Sequence, residues 1–387
     1  MEYTLEKVFF ALLRSSITGD FLAEEDKKEV PAMLPSLFKL AKRHDVTHLL
    51  AVALEYNRIL ANDSDIGKRF LQTRRMAVYR YEQMQYESEQ IYQCLQAAKI
   101  PFIPLKGAVV RRYYKEPWMR TSCDIDILVK EADWSKAVDT VVDKLGYSKA
   151  TAETDHDISL FAANGVHVEF HYTIAEEGVP AEVYNLLCRV WEFVRPSQSY
   201  QKELTDEMFY FYHIAHMAKH FKIGGCGVRY FLDISFLKES GLYDGQECRA
   251  ILEQGGLLTF ATAVEKCAEI WFKRSEETKI SSDISKYILF AGMYADSENR
   301  AAIQQAEKGG KCGYLFSRIF LPYRQLAKQY PRLEGKKWLL PIYQVKRWFR
   351  LLFGESSKSA SQEWRATFSV DEDKRKLVGE LLHDLEL

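Results

Sequence analysis

The ten residues Arg120-Thr-Ser-Cys-Asp124-Ile-Asp126-Ile-Leu-Val129 constrain this chain more than any other stretch. Side chains alternate across a strand, so Asp124 and Asp126 share one face while Ile125, Ile127 and Val129 take the other. A segment this apolar on one side belongs in a sheet with a buried face, not on a solvated edge. Two like charges held side by side repel, and each raises the other's pKa unless a cation neutralises them. Mg²⁺ (or Mn²⁺) is the economical cation, because it prefers carboxylate oxygens and commonly shares them with substrate phosphates.

Around this strand the chain alternates between helical and mixed character. Residues 1–95 read as an N-terminal helical region, with apolar positions three to four apart in Leu37–His44, Ala51–Leu60 and Phe70–Ala98. Lys99-Ile-Pro-Phe-Ile-Pro-Leu105 is a short strand, followed by a Lys-Gly turn and a helix from Ala108 to Lys115. After the Asp124–Val129 strand, Ala132–Leu145 is amphipathic and Gly146 suits its C-cap. Strands at Asp157–Ala162 and Val166–Tyr172 flank Asn164-Gly165, a strong hairpin signal. Residues 96–203 thus form a small α/β core, 204–353 a C-terminal helical region, and 354–387 a polar linker with a terminal helix.

Composition narrows the classes. The chain has 387 residues and a formal net charge of −1, so global charge selects no partner. No run of about 18 uncharged apolar residues suggests a membrane-spanning helix. Residues 1–16 lack the basic start and small-residue cleavage site of a secretory signal. The seven cysteines are odd in number and contain no CxxC pair, which argues against a disulfide framework and for the reducing cytoplasm.

A third acid follows from the hairpin. In Val166-His-Val-Glu169-Phe-His171, alternation sets His167, Glu169 and His171 on one face. If that strand lies beside Asp124–Val129, three carboxylates can hold two divalent cations about 4 Å apart around a phosphoryl transfer. Leu105-Lys106-Gly107 is a strand-to-helix turn whose free N–H groups suit a phosphate, with Lys106 as a mobile cation beside it. Arg120 is placed to reach the same phosphates or to pair with the acids.

Taken in order, Leu105-Lys106-Gly107, Arg120-x-x-x-Asp124-x-Asp126 and Glu169-x-His171 resemble the uncharacterised bacterial nucleotidyltransferase family of the DNA polymerase beta-like superfamily. The likeness is strongest over residues 95–175. It implies an α/β (α+β) fold, with a small mixed-sheet nucleotidyltransferase core flanked by N-terminal and C-terminal helical regions. It implies transfer of a nucleoside monophosphate from a nucleoside triphosphate to a hydroxyl acceptor on a small molecule, sugar or protein. By the same likeness Asp124, Asp126 and Glu169 bind metal and carry catalysis, Glu169 doubles as a candidate base, and Lys106, Gly107 and Arg120 bind nucleotide. Lys106-Gly107 stands in place of the superfamily's usual Gly-Ser turn, with no serine after the glycine.

Two rivals remain at this stage. One is an inactive module of the same fold, binding a nucleotide or a protein partner in an antitoxin-like or biosynthetic-cluster setting. The other is an Asp-x-Asp glycosyltransferase, disfavoured because the α/β unit does not open the chain.

Further residues carry weaker signals. His213 and His216 share a helix face with His220, and with Arg229 and Asp233 they are candidates for a substrate pocket, as is His171. The aromatic run Phe209–Tyr212 points instead to a packed helix, and Arg229 with Asp233 to an i, i+4 ion pair. Between Lys311 and Phe353 ten basic residues face one acid, Glu334, with aromatics interleaved. A helix folded back on acidic parts of the N-terminal region is the default expectation. Peripheral contact with an anionic membrane is the next, and no specific nucleic-acid module is recognisable.

Overall fold

The computed structural model describes residues 4–60, 64–150, 157–176, 178–243, 245–273, 275–291, 297–353, 368–370 and 372–387. Most of the polar linker expected from residue 354 onward, residues 354–367, lies outside the described residues. Packing divides the chain into two compact units, Met1–Lys219 with Gly227–Ser281, and His220–Cys226 with Ser282–Leu387.

In the first unit, helices α1 (Leu5–Thr18), α2 (Glu24–Arg43), α3 (Thr47–Tyr56) and α4 (Asp65–Ala97) precede any strand. Ser64 caps α4 by accepting from the Gly67 N–H at 3.1 Å, so one of the helix's orphan donors is satisfied. The sheet follows, from β1 (Phe102–Pro104), β2 (Asp124–Val129), β3 (Ser148–Lys149), β4 (Asp157–Phe161) and β5 (His167–His171). A short helix, α5 (Gly107–Val110), lies between β1 and β2, and α6 (Glu131–Leu145) follows β2. Gly146 ends α6 in the left-handed region at φ 72°, as its position in the sequence suggests.

Strand order is β1-β2-β5-β4-β3. β1 runs antiparallel to β2, β4 antiparallel to β5, and β2 parallel to β5. The fold is therefore α+β with a mixed sheet. β3 escaped the sequence reading because two exposed residues carry no alternation. Strand β1 is a protected edge: Phe102 donates to the Tyr200 carbonyl at 3.0 Å and accepts from the Lys202 N–H at 2.8 Å.

The alternation predicted for β2 decides which face is core. Ile125, Ile127 and Val129 pack with Val168 and Phe170 of β5, Ile158 and Leu160 of β4, Ile91 and Leu95 of α4, and Val138 and Val141 of α6. Each of these fully buried side chains contributes about 1.5–3 kcal/mol. A slip of one residue between β2 and β5 would turn the whole apolar set outward, which fixes the register. The opposite face carries the acids.

Helices α7 (Ala181–Cys188), α8 (Asp206–Lys222), α9 (Val228–Glu239), α10 (Gln246–Gln254) and α11 (Leu258–Lys273) follow the sheet. The second unit contains most of α12 (Lys279–Ala291), then α13 (Ser297–Glu307), α14 (Lys311–Ile319), α15 (Tyr323–Gln329), α16 (Leu340–Phe353) and α17 (Glu372–Asp384). Leu321, Leu326 and Leu333 form a small core there, against which Leu340 and Tyr343 of α16 pack. The inner stripe of α16 thus has its partner within its own unit. No helix among the described residues is long and apolar enough to cross a membrane.

Candidate active site

Pairing in register brings Asp126 of β2 opposite Glu169 of β5, and Asp124 opposite His167. Parallel neighbours in register point to the same face, so the three carboxylates converge with two histidines. Oxygen and nitrogen atoms of Asp124, His167 and Glu169 lie within 4.8 Å of one another, as do those of Asp126, Glu169 and His171. Each set could hold one divalent cation, and Glu169 belongs to both. The donors are carboxylate oxygens and imidazole nitrogens, a mixture that suits Mn²⁺ and, through the oxygens, Mg²⁺. The residues fit such a cation.

The acids are already partly countered by protein cations. Asp126 Oδ1 accepts from Lys106 Nζ at 2.9 Å and lies 3.0 Å from His171 Nε2, which also sits 3.4 Å from Glu169 Oε2. Burial alone would raise the Asp126 pKa, but Lys106 and His171 hold it well below the usual carboxylate range. Burial also opposes charge on His171, yet hydrogen bonds with Asp126 and Glu169 lift its pKa to about 9. The same bond to His171 lowers the pKa of Glu169. Asp124 goes the other way, raised by burial and by the neighbouring Asp126 charge. Of the three carboxylates, Asp124 gains the most from an added cation. His171 braces the acids as a partner of both Asp126 and Glu169.

The turn before α5 supplies the next feature. Lys106 has φ 41° and ψ −109°, a left-handed backbone uncommon for a side chain with a Cβ and costing about 1–3 kcal/mol. The Leu105 N–H bonds the Asp126 carbonyl at 3.0 Å, which pins this strained turn directly over the acidic strand. Gly107 is favoured by closeness and not by φ. A Cβ there would lie 3.0 Å from Arg120 Nη1 and 3.2 Å from Ser122 Oγ.

A cavity of about 360 Å³ opens beside the turn, lined by Gly107, Arg111, Arg112, Asp124, Asp126 and Tyr81 among others. Arg111 and Arg112 escaped the sequence reading, although an arginine pair four and five residues past the turn glycine was a readable signal. Arg111 donates to the Gly107 carbonyl at 2.9 Å and to Ser122 Oγ at 2.7 Å. Burial and the nearby Arg120 lower its pKa to about 10. Ser122 thereby brings a hydroxyl to the turn from β2's approach segment, where the sequence after Gly107 offers none.

Other expected site residues take structural positions. Arg120 does not reach the cavity as a phosphate ligand: its guanidinium is buried, donating to Asp233 Oδ2 at 2.9 Å and Oδ1 at 3.3 Å. Tyr114 completes that carboxylate's shell at 2.6 Å. Arg229 pairs with Asp45 at 2.6 Å and with the Thr121 carbonyl at 2.9 Å, so the i, i+4 pair with Asp233 does not form. His213 is buried near the Arg120–Asp233 pair, and burial lowers its pKa to about 4. His216 Nδ1 lies 3.3 Å from the Tyr230 hydroxyl. Arg120 and Arg229 thus tie the loop between α5 and β2 to Asp233 of α9 and to Asp45.

Residues 32–273 match a protein family described as uncharacterised nucleotidyltransferase, a span running from α2 through the sheet to the end of α11. No curated protein matches the chain.

Proposed function

The chain belongs to the uncharacterised nucleotidyltransferase family, and from that premise we propose that it transfers a nucleoside monophosphate from a nucleoside triphosphate to a hydroxyl acceptor. The observation that carries this reading is the register of Asp126 against Glu169, with Asp124 on the same face and opening on the cavity. Asp124, Asp126 and Glu169 would hold Mg²⁺ or Mn²⁺, which when bound neutralises phosphate charge and aligns the attacking and leaving oxygens. The strained Lys106 turn, the Gly107 backbone and the Arg111–Arg112 pair hold the triphosphate beside the acids. Glu169, kept ionised by His171, accepts the acceptor's proton or orients its oxygen. Most of the acceleration then comes from positioning and charge neutralisation.

The experiment is incubation with α-labelled nucleoside triphosphates, Mg²⁺ or Mn²⁺ and a cell extract, following pyrophosphate release and the labelled acceptor. The variant carrying Asp124→Asn and Asp126→Asn should lose turnover by at least about 10³-fold while melting as a folded protein. Full turnover in that variant would refute the assignment.

One observation favours a second reading. Lys106 Nζ, 2.9 Å from Asp126, stands where a cation could stand, as in a nucleotide-binding module without turnover. Nucleotide binding by calorimetry with no pyrophosphate released would select it. The glycosyltransferase rival loses ground to the family match and would return only with binding of a UDP-sugar.

A further inference from the structure

The basic, aromatic-rich second unit is untouched by the chemistry above. Helix α16 buries Gln344 and Arg347 and packs Leu340 and Tyr343 on the Leu321–Leu326–Leu333 core. Its opposite face carries Ile342, Val345 and Phe349, at helical spacings of three and four, exposed at 59%, 44% and 61%. Trp338, in the turn leading into α16, is 74% exposed. Apolar side chains aligned this way leave an unusually hydrophobic outer ridge on a helix whose inner face is already packed.

Cations border the ridge in fixed positions. Lys346 lies 5.7 Å above the Tyr330 ring and 5.8 Å above Tyr343, while Arg350 lies 5.3 Å above Tyr330. Both are exposed, and each neighbours a ridge residue in sequence. Lys336 and Lys337, also exposed, precede Trp338. Beside Arg350 opens a cavity of about 440 Å³, lined also by Arg318, Gln325, Lys328, Gln329 and Arg347, with Arg347 held by the Arg318 and Ile319 carbonyls.

We propose that this face of the second unit docks on an anionic phospholipid bilayer, with Trp338, Ile342, Val345 and Phe349 entering the headgroup–acyl boundary and the cationic cavity receiving a headgroup phosphate. Ridge and charge together select the occupant. Aliphatic Ile342 and Val345 offer no stacking surface to a nucleic-acid base, whereas they suit the acyl boundary. Tryptophan and basic residues at one edge match the headgroup level of a membrane with negative surface potential. The contact lies in the plane of the interface and needs no spanning helix.

The full-length chain should co-sediment with vesicles of phosphatidylglycerol and phosphatidylcholine at physiological ionic strength, and not with phosphatidylcholine alone. Ile342→Ser with Phe349→Ser should lower partitioning at least about tenfold, because the buried apolar area goes. Lys346→Glu with Arg350→Glu should lower it at least about tenfold through charge. Lys336→Glu with Lys337→Glu, on an exposed turn outside the helix, is the parallel variant should the other pair disturb folding, judged by circular dichroism and melting. Absence of co-sedimentation with anionic vesicles would overturn the proposal, and so would binding indifferent to the ridge substitutions. Tighter, ridge-dependent retention by a single-stranded oligonucleotide than by the vesicles would overturn it in favour of nucleic acid. None of these outcomes depends on nucleotide turnover.

Discussion

Lys106 carries two opposing demands in one residue. Its amine counters the buried Asp126 carboxylate, while its backbone sits at φ 41°, where an L side chain is strained. Glycine adopts that conformation without a steric penalty, whereas alanine retains the Cβ. Both substitutions remove the amine, so the difference between them isolates the backbone. Lys106→Gly should therefore be more stable than Lys106→Ala by about 1 kcal/mol, the reverse of the usual order in a helix or strand. Chemical denaturation of the two variants checks this, and equal midpoints would remove the strain from the account. Both should bind nucleoside triphosphate at least about tenfold more weakly than the parent, measured by calorimetry, through loss of a charge-assisted contact. Strained backbone of this kind clusters at active sites and ligand clamps, which accords with the proposed role of the turn.

At the scale of elements, the approach to β2 is held by long-range charge. Arg120 lies beneath the Gly107 turn and binds Asp233 of α9, both buried, with Tyr114 on the same carboxylate. Burial disfavours both charges, but their pairing keeps Asp233 ionised and Arg120 protonated. Removing one partner leaves the other uncompensated in a dry site, so Arg120→Met or Asp233→Asn should cost about 3–5 kcal/mol. Arg120→Leu with Asp233→Leu should recover much of that loss, since no orphan charge remains. A double-mutant cycle by urea denaturation decides it, and additive single effects would show that the pair is not coupled. This network also marks where the sequence stopped being legible. The acids of β2 and the hairpin were readable because alternation is local, and Asn164-Gly165 announces its own turn. Arg229 and Asp233 looked like a pair because helical spacing is local too. Their actual partners, Asp45 and Arg120, lie 184 and 113 residues away, and no short-range pattern encodes that. Ser122 was hidden for the same reason, as it acquires meaning only when the loop folds back beside Gly107.

Over the whole molecule, buried histidines contribute to opposite limbs of the pH profile, His48 joining His44 and His213 on the acid side because burial lowers its pKa too. His44 and His213 are buried, each with an Nε2 that has no hydrogen-bond partner among the described residues. Burial lowers their pKa values from 6.5 to about 3 and about 4. Below pH 6.5 the unfolded chain takes up protons that the folded chain refuses, so stability falls as pH drops from 6.5 toward 4. For His213 the gap corresponds to about 3 kcal/mol. His171 acts in the reverse sense. Its folded pKa of about 9 exceeds the unfolded 6.5, so its contribution is complete below 6.5 and is lost as pH rises through 9. Thermal melting should thus peak near pH 6.5. His213→Phe should flatten the acid limb if the ring space is filled, and His171→Gln should flatten the alkaline one. Divalent cation links this profile to the proposed chemistry, because it competes with the His171 proton for Asp126 and Glu169. Added Mn²⁺ should raise the melting temperature more at pH 9 than at pH 6.5, EDTA should reverse the gain, and Asp126→Asn should abolish it. An equal rise at both pH values would mean that the cation binds away from these acids, and the metal assignment of Asp126 and Glu169 would fall with it.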